Sequence, residues 1–279
     1  MSSQSLRIGG STFSFMWKEP ARASMERMRQ LGLNDFDVLL VPGHLWMDDL
    51  TPGDVAELRG QLKSGDIRIE SLNLPALDLN PCSCVPEFRA YSVTMYQKAL
   101  RLSADLGGRA VVVVPGRVSA LLPPGRNDTL NWLTESIASL LETAEQLDQK
   151  LFLELHPQTP VPTASQIGDF VDRFDSPRVQ IAYDVASAEF IGEDYVAAIG
   201  RLGKRIGQFH LSDSTRTAWR HDALGRGTVD VPSALAAIEQ NGCEGVTILE
   251  VISSQPIDEM KASLKQIAAI VGGVSSSES

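Results

Sequence analysis

Residues 151–157 of the 279-residue chain read LFLELHP, an apolar run that is interrupted by one glutamate and closed by a histidine. Three later apolar runs carry an ionisable residue in the same way, namely VQIAYD at 179–184, IGQFHLSD at 206–213 and VTILEV at 246–251. Short runs of this kind are typical of strands that are buried on both faces, as in a parallel sheet. The ionisable residues in or just after these four predicted strands are Glu154, Asp184, His210 and Glu250.

Along the whole chain, short apolar segments alternate with longer segments that have the apolar spacing of a helix face. The predicted strands cover residues 6–8, 36–41, 67–72, 110–114, 151–155, 179–183, 206–211 and 246–251. The predicted helices cover residues 21–31, 52–63, 87–106, a segment that begins after an N-cap at Asp128, 163–174, 230–242 and 257–271. We therefore expect one domain over residues 1–271 and a disordered tail over residues 272–279.

Strict alternation of strands and helices is compatible with two α/β architectures, a closed barrel and a doubly wound open sheet. Open sheets that bind dinucleotides usually carry G-x-G-x-x-G after the first strand, and the sequence IGGS at residues 8–11 lacks that spacing. Eight strands in a chain of this length match a (β/α)₈ barrel. The predicted fold class is therefore α/β, a (β/α)₈ TIM barrel.

Charge and composition exclude several classes of partner. The chain has 25 Lys and Arg against 35 Asp and Glu, a net charge of −10 without a basic block, so we expect no nucleic-acid partner. The longest aliphatic run, residues 110–114, is too short to span a membrane, and the N-terminus lacks the pattern of a secretory signal. Cys82, Cys84 and Cys243 lack zinc-site spacing, so we expect reduced thiols and a cytoplasmic protein.

In a TIM barrel, the carboxyl ends of the strands form the active site. Glu154, Asp184, His210 and Glu250 would meet there, and buried carboxylates that converge repel one another unless a cation neutralises them. The alternative is that each residue belongs to a separate structural ion pair. Three carboxylates and one imidazole predict a divalent metal site, with Mn²⁺ as the first choice and Mg²⁺, Co²⁺ or Zn²⁺ as alternatives.

The order of these residues resembles that in the xylose-isomerase-like TIM barrels, the sugar phosphate isomerase/epimerase superfamily. The resemblance covers nearly the whole chain and is most specific in LELHP at 153–157, FHLSDS at 209–214 and HDALGRG at 221–227. It implies that the four residues bind the metal and that Glu154 and Glu250 transfer a proton next to a carbonyl group, through a metal-stabilised enediolate. The implied activity is that of an isomerase or epimerase in carbohydrate metabolism.

Candidate substrate-binding residues lie near these motifs. His156 shares the strand face of Glu154 and could bind a substrate oxygen. Arg117, which follows the fourth strand, could meet a carboxylate or phosphate. By the resemblance, Arg216 lies where ketose epimerases place a substrate-binding arginine. His221, which precedes the Gly-x-Gly turn, would orient Asp213 or a substrate group.

Two departures from the family pattern bear on the substrate. Ser187 stands where many of these epimerases have a histidine, and QTPV at 158–161 replaces a segment with a glutamate. The substrate is therefore expected to be a small polyol or keto-acid compound rather than a ketohexose. Trp17, Trp46 and Trp219 are candidates for the wall of its pocket.

Three alternatives to an isomerase remain open at this level. A dehydratase resembling those for inosose or dehydroshikimate would use the same enolate and expel a hydroxyl group. An endonuclease-like hydrolase of this fold would need many histidines, and the chain has four. A binding module without catalysis is the third alternative, although both glutamates are present. Barrels of this kind often pair, so a homo-oligomer is one expectation for the assembly.

Overall fold

The computed structural model describes residues 6–75, 78–242 and 245–274. Its strands are β1 (Ile8–Ser11), β2 (Asp35–Leu39), β3 (Arg68–Asn73), β4 (Ala110–Val113), β5 (Lys150–Glu154), β6 (Val179–Asp184), β7 (Ile206–Leu211), β8 (Asp213–Thr215), β9 (Ala218–Asp222) and β10 (Thr247–Leu249). Its α-helices are α1 (Ala21–Arg29), α2 (Pro52–Ser64), α3 (Pro86–Leu106), α4 (Arg126–Gln146), α5 (Ala164–Val171), α6 (Val185–Ile191), α7 (Tyr195–Leu202), α8 (Val231–Asn241) and α9 (Pro256–Val274).

Eight of these strands close into a parallel barrel in the order β1-β10-β7-β6-β5-β4-β3-β2, while β8 and β9 form a separate antiparallel hairpin. This is the predicted TIM barrel. In every barrel pair the strands run in the same direction, so their carboxyl ends meet at one end of the barrel. That end is where the predicted site residues lie.

The differences from the predicted elements concern mainly the segment between β6 and β10. Helices α6 and α7 and the β8–β9 hairpin were not predicted, because elements of three to eight residues are too short to show a clear period. Helix α4 begins at Arg126 with Gly125 as N-cap, so Asp128 lies in the first turn, where its charge still favours the helix. Helix α9 continues to Val274, three residues into the predicted tail, and residues 275–279 lie outside the described ranges.

Side chains inside the barrel form layers, because every second residue of a strand points to the same face. Ala110, Val112, Phe152 and Ala182 are fully buried and pack together as a small apolar cluster. Glu154 and Asp184 follow Phe152 and Ala182 by two residues, so alternation predicts the same face for them. Phe152 and Ala182 of the apolar cluster therefore lie one step closer to the amino ends of their strands than Glu154 and Asp184 do.

The remaining predictions at this level concern cysteines and membranes. Cys82 is buried, Cys84 is exposed and both are free thiols, whereas Cys243 lies outside the described residues. Within the described ranges, we find no helix with the length and apolarity that a membrane span requires.

Gly207 provides a test of the barrel packing. It lies where the register between β6 and β7 shifts, and a Cβ atom there would overlap the Phe152 ring and come 2.9 Å from Oε1 of Gln180. We expect Gly207→Ala to lower the free energy of unfolding in urea by about 2 kcal/mol, because the added methyl group overpacks the interior.

Gly60→Ala is the matched control, since Gly60 lies within α2 and a Cβ atom added there would point into open space, with no packing neighbour within 4 Å. It should leave the stability unchanged or raise it by up to about 1 kcal/mol. Equal effects of the two substitutions would contradict the packing described for Gly207.

Candidate active site

Four barrel strands place the predicted ionisable residues at the same end. Glu154 is the last residue of β5, Asp184 is the last of β6, His210 lies on β7, and Glu250 directly follows β10. All four are buried, with at most 8% of each residue exposed. The backbone N–H of Glu250 donates to the Leu211 carbonyl oxygen at 3.0 Å. The hydrogen bonding between β10 and β7 therefore extends to Glu250.

His210 joins two of the carboxylates. Its Nδ1 atom lies 3.1 Å from Oε1 of Glu154 and 3.4 Å from Oε2 of Glu250. Its Nε2 atom is buried and has no hydrogen-bond partner among the described residues. One ligand atom from each of the three residues lies within 4.8 Å of the others, so these side chains can approach a single metal ion together.

Asp184 is held by the helix that it caps. Its Oδ1 atom accepts hydrogen bonds from the backbone N–H groups of Ala186 at 2.9 Å and Ser187 at 3.2 Å, and the Ser187 hydroxyl donates to Oδ2. The indole Nε1–H of Trp219 in turn donates to the Ser187 hydroxyl at 3.2 Å. Ser187 therefore links the aspartate to Trp219.

His221, on β9, belongs to the same cluster. Its Nε2 atom is 3.8 Å from Oδ2 of Asp184, and its Nδ1 atom is 3.3 Å from Oε2 of Glu250 and 3.1 Å from the Ser212 hydroxyl. Its carbonyl oxygen accepts from the N–H of Ile252 at 2.7 Å, which ties the hairpin to the end of β10. Asp184, His221 and Glu250 form a second group whose ligand atoms lie within 4.8 Å of one another.

Asp213 has a different set of partners from the one considered in the sequence. Its carboxylate accepts hydrogen bonds from the backbone N–H groups of Ser214 at 2.9 Å, Val229 at 3.1 Å and Gly225 at 2.8 Å. It therefore stabilises the turn that follows the hairpin. The idea that His221 orients Asp213 is wrong, because the imidazole faces Asp184 and Glu250 instead.

The charges of these groups shift one another's pKa values in opposite directions. Burial raises the pKa of Glu154, and the neighbouring carboxylates add to that effect against the opposing effect of His210. Burial also raises the pKa of Glu250, but His210 and His221 outweigh it and hold this pKa well below its usual range. Burial lowers the pKa of His210, yet the glutamates raise it well above its ordinary value.

The donor set fits a divalent cation. Carboxylate oxygens and imidazole nitrogens suit Mn²⁺, Mg²⁺, Co²⁺ and Zn²⁺, and neither group of candidate ligands in the described residues includes a thiolate. The two groups share Glu250, so the candidate metal centre extends from Glu154 across to His221. The four predicted ligands are thus divided between two neighbouring groups that share Glu250, with Asp184 and His221 in the second group.

The cluster opens into a cavity of about 450 Å³. Such a volume lies within the range of small-molecule sites. Its walls combine the carboxylates with aromatic, apolar and basic side chains. They are Phe13, Asn73, Pro75, Val114, Arg117, Glu154, His156, Asp184, Trp219, Arg220, His221, Asp222, Glu250 and Ile252.

His156 lies in this cavity beside Trp219. The two rings meet edge to face with their centroids 4.5 Å apart, and Nδ1 of the imidazole accepts from the N–H of Gln158 at 3.2 Å. Burial, followed by the charge of Arg117, lowers the pKa of His156 to about 4. The imidazole is therefore neutral near pH 7, and its other nitrogen is available to a ligand as an N–H donor.

Other residues considered in the sequence lie outside the cavity. Arg216 is 68% exposed, with its Nε atom 3.7 Å from Oε1 of Glu189, and it does not line the cavity. Trp17 is 67% exposed, and Trp46 packs against the apolar core. Of the three tryptophans, Trp219 is the one that the structure places in the cavity wall.

A buried polar layer next to the site was not predicted. Asp37 on β2 is fully buried and accepts hydrogen bonds from the Ser71 hydroxyl and from Nδ2 of Asn73 at 3.2 Å. The side-chain amide of Gln208 donates to the Ser71 hydroxyl at 2.9 Å. The signal in the sequence was an aspartate within an apolar strand and an asparagine at the end of the next one.

Asp37 gives a prediction about pH and stability. Burial raises its pKa to about 7, so between its ordinary value and pH 7 the unfolded chain loses a proton that the folded protein keeps. Stability therefore falls as the pH rises through this interval. We therefore compare the free energy of unfolding of Asp37→Asn with that of the parent protein, measured in urea with a chelator present. We expect this difference to shift in favour of the variant by roughly 2 kcal/mol between about pH 5.5 and pH 8.

Asp35→Asn is the control on the same strand. Arg7 and Arg68 contact Asp35 at 2.7 Å and 2.8 Å and, against the effect of burial, lower the pKa of this carboxyl. Its ionised form is stabilising above its unfolded pKa, so this variant should be less stable than the parent at both pH values. A constant advantage for Asp37→Asn across the pH range would contradict the assigned shift.

Comparison with known proteins gives the same fold and a family. Two curated relatives are an uncharacterized protein of Methanocaldococcus jannaschii and the fructoselysine 3-epimerase of Shigella flexneri. The former is 23% identical over 271 residues, which are 95% of this chain and 90% of that protein. The latter is 21% identical over 242 residues, 84% of this chain and 86% of the epimerase.

Solved structures share the barrel over nearly its full length. A D-tagatose 3-epimerase-like protein superimposes with a TM-score of 0.83 at 21% identity, covering 96% of this chain and 99% of that one. The IolI protein with a bound zinc atom gives 0.81 at 16% identity, with coverage of 96% and 99%. Residues 25–270 match the family of xylose isomerase-like TIM barrels, and this chain belongs to that family.

Proposed function

We propose that this protein is a divalent-metal-dependent isomerase or epimerase that acts on a small sugar or hydroxy-keto compound. The reaction is the transfer of a proton at a carbon next to a carbonyl group. Glu154 and Glu250 are the proposed acid–base pair, and the cavity that they line is the proposed substrate site.

The observation that carries this proposal is that two buried glutamates approach the same ring nitrogen of one histidine. Their oxygens lie 3.1 Å and 3.4 Å from Nδ1 of His210, and both side chains line the same cavity. Their strands, β5 and β10, are separated by β6 and β7 in the barrel. Glu154 and Glu250 can therefore reach a bound molecule from different sides, as removal and return of a proton on opposite faces requires.

The proposed metal ligands are Glu154, Asp184, His210 and Glu250, with Mn²⁺ as the first choice of ion. When bound, a divalent cation supplies Lewis-acid polarisation of the carbonyl and hydroxyl oxygens of a substrate. The bound zinc in the related IolI structure supports a metal in this fold. Each glutamate has two oxygens, so one can face the cation while the other holds or releases the proton.

Other side chains of the cavity would position the substrate. The neutral imidazole of His156 can donate a hydrogen bond to a sugar oxygen, and Trp219 holds its ring in place. Trp219 and Phe13 are apolar surfaces that displace water from the carbon where the proton moves. The names of the fructoselysine 3-epimerase and the D-tagatose 3-epimerase-like protein agree with chemistry on a sugar carbon.

The proton-transfer role of the glutamates has a direct test. The protein is supplied with Mn²⁺ in deuterated water, and incorporation of deuterium into a panel of keto-sugars and hydroxy-keto acids is followed by mass spectrometry. We expect Glu154→Gln and Glu250→Gln each to reduce the exchange rate by at least about 100-fold, because general acid–base groups contribute about that much or more.

Glu70→Gln is the control for these variants, since Glu70 is a buried glutamate that pairs with Arg109, the residue before β4, and does not line the cavity. It should retain exchange. Unimpaired exchange in either site variant would remove that residue from the acid–base role. A product lighter by one water would assign the protein to dehydration instead.

Metal binding is tested separately from turnover. We expect His210→Asn to lower the metal content of the purified protein at least tenfold, measured by elemental analysis after dialysis against Mn²⁺, because it removes the imidazole donor between the two glutamates.

His44→Asn is the matched histidine control. His44 is also buried, but it contacts the Glu19 carbonyl oxygen and the Thr12 hydroxyl away from the cluster. It should keep the metal content of the parent protein. If His210→Asn retained a full complement of metal, the proposed centre would be wrong.

A further inference from the structure

The cavity has two ends of opposite character. At its buried end lie Glu154, Asp184 and Glu250, the carboxylates of the proposed metal centre. Two arginines, Arg117 and Arg220, also line the cavity, and both are exposed residues. Arg117 follows β4, whereas Arg220 lies on β9, so two separate segments of the chain bring guanidinium groups to the open side of the same cavity.

Arg117 is held in place without being neutralised. Its backbone N–H donates to Oδ1 of Asn80 at 3.1 Å, and its carbonyl oxygen accepts from Nδ2 of Asn80 at 3.1 Å. Its Nε and Nη2 atoms donate to Oε1 of Gln158 at 3.2 Å and 2.6 Å. No carboxylate forms a salt bridge with this arginine among the described residues, so its full charge and its remaining N–H donors are available.

Arg117 lies beside the loop after β5, and both contribute to the cavity wall. His156 on that loop packs against Trp219, with the two ring centroids 4.5 Å apart. Gln158, the residue that holds the guanidinium, lies two positions beyond His156 on the same segment. The loop after β5 therefore supplies both an imidazole in the cavity wall and the support for the positive charge of Arg117.

Arg220 has only a weak partner. Its Nη1 atom lies 3.5 Å from Oδ2 of Asp222, and its side chain is 62% exposed. Its backbone N–H donates to the Ser214 hydroxyl at 3.1 Å, which anchors the residue on the hairpin. A surface ion pair of this length contributes little free energy, so an anionic ligand can displace Asp222 from the guanidinium.

We propose that the substrate carries an anionic group, a carboxylate or a phosphate, at the end opposite to its reacting carbons, and that Arg117 and Arg220 bind this group. This inference rests on the proposed function for the identity of the reacting end. Guanidinium groups suit both anions because they present paired N–H donors to two oxygens at once. The cavity volume of about 450 Å³ leaves room for a short polyol chain between the two ends.

The test uses binding to compounds that cannot react. The Mn²⁺-loaded protein is titrated calorimetrically with ribitol, ribonate and ribitol 5-phosphate, which share a five-carbon chain and differ in their terminal group. We expect one of the two anions to bind at least tenfold more tightly than ribitol. The stronger of the two identifies whether the natural group is a carboxylate or a phosphate.

Variants show whether the arginines cause this preference. Arg117→Gln should reduce the preference for the anion over ribitol to less than threefold, and Arg220→Gln should reduce it by a smaller factor, since Arg220 is less firmly held. Arg205→Gln is the control, because Arg205 pairs with Asp172 at 2.7 Å and does not line the cavity. It should leave all three affinities unchanged.

Two outcomes would overturn the proposal. One is that neither anion binds more tightly than ribitol, and the other is that the preference persists in both site variants, as it would if the anion simply contacted the metal ion. Neither outcome depends on turnover. Failure of the proposed function would instead appear as absent deuterium exchange in the parent protein with every keto compound, whatever its charge.

Discussion

Mutual repulsion between buried carboxylates is the constraint on which this end of the barrel depends. Glu154, Asp184 and Glu250 lie within one cluster, and burial makes each charge costly unless an opposite charge or a hydrogen-bond donor compensates it. The protein supplies that compensation through His210 and His221, whose imidazoles lie between the carboxylates at 3.1 to 3.8 Å. A divalent cation in the same place would take over the neutralising role, and its binding would be linked to the loss of protons from the imidazoles.

The barrel makes such a cluster possible because its strands are rigid supports. The parallel strands bring residues of β5, β6 and β7 and the residue after β10 to the same end of the barrel, and Phe152 of the apolar cluster lies two residues before Glu154 on β5. Asp37 and its partners Ser71 and Asn73 add a polar layer on the β2–β3 side. Asn73 also lines the cavity, so this layer connects the interior of the barrel to the proposed substrate site.

The open side of the cavity has a different origin. The hairpin between β7 and β10 contributes Trp219, Arg220 and His221, and Arg117 comes from the loop after β4. Residues on loops and hairpins can change without disturbing the barrel, which is why binding specificity in this fold is usually built from them. The buried end thus carries the proposed chemistry, while the exposed arginines give the proposed selectivity for an anionic substrate.

The sequence alone was sufficient for the fold, and it singled out the four residues proposed as ligands, because buried strands leave a strong local signal. An ionisable residue such as Glu154 within an apolar run is costly to bury unless another group compensates its charge. Parallel strands of a barrel bring their carboxyl ends together whatever the sequence of the loops. Helix α8 illustrates the same point, since its start after Asp230 and its end before Gly242 were both predicted from local capping signals.

What only the tertiary structure decided were the contacts between segments that are distant along the chain. The position of His221 against Asp184 and Glu250 depends on how the hairpin folds over β7, and no spacing along the sequence reports that. For the same reason, the sequence indicated Arg216 as a substrate-binding residue, whereas the structure places Arg220, four positions further along, in the cavity wall. Periodicity is a local property of the backbone, whereas the direction of a loop side chain depends on packing against the rest of the molecule.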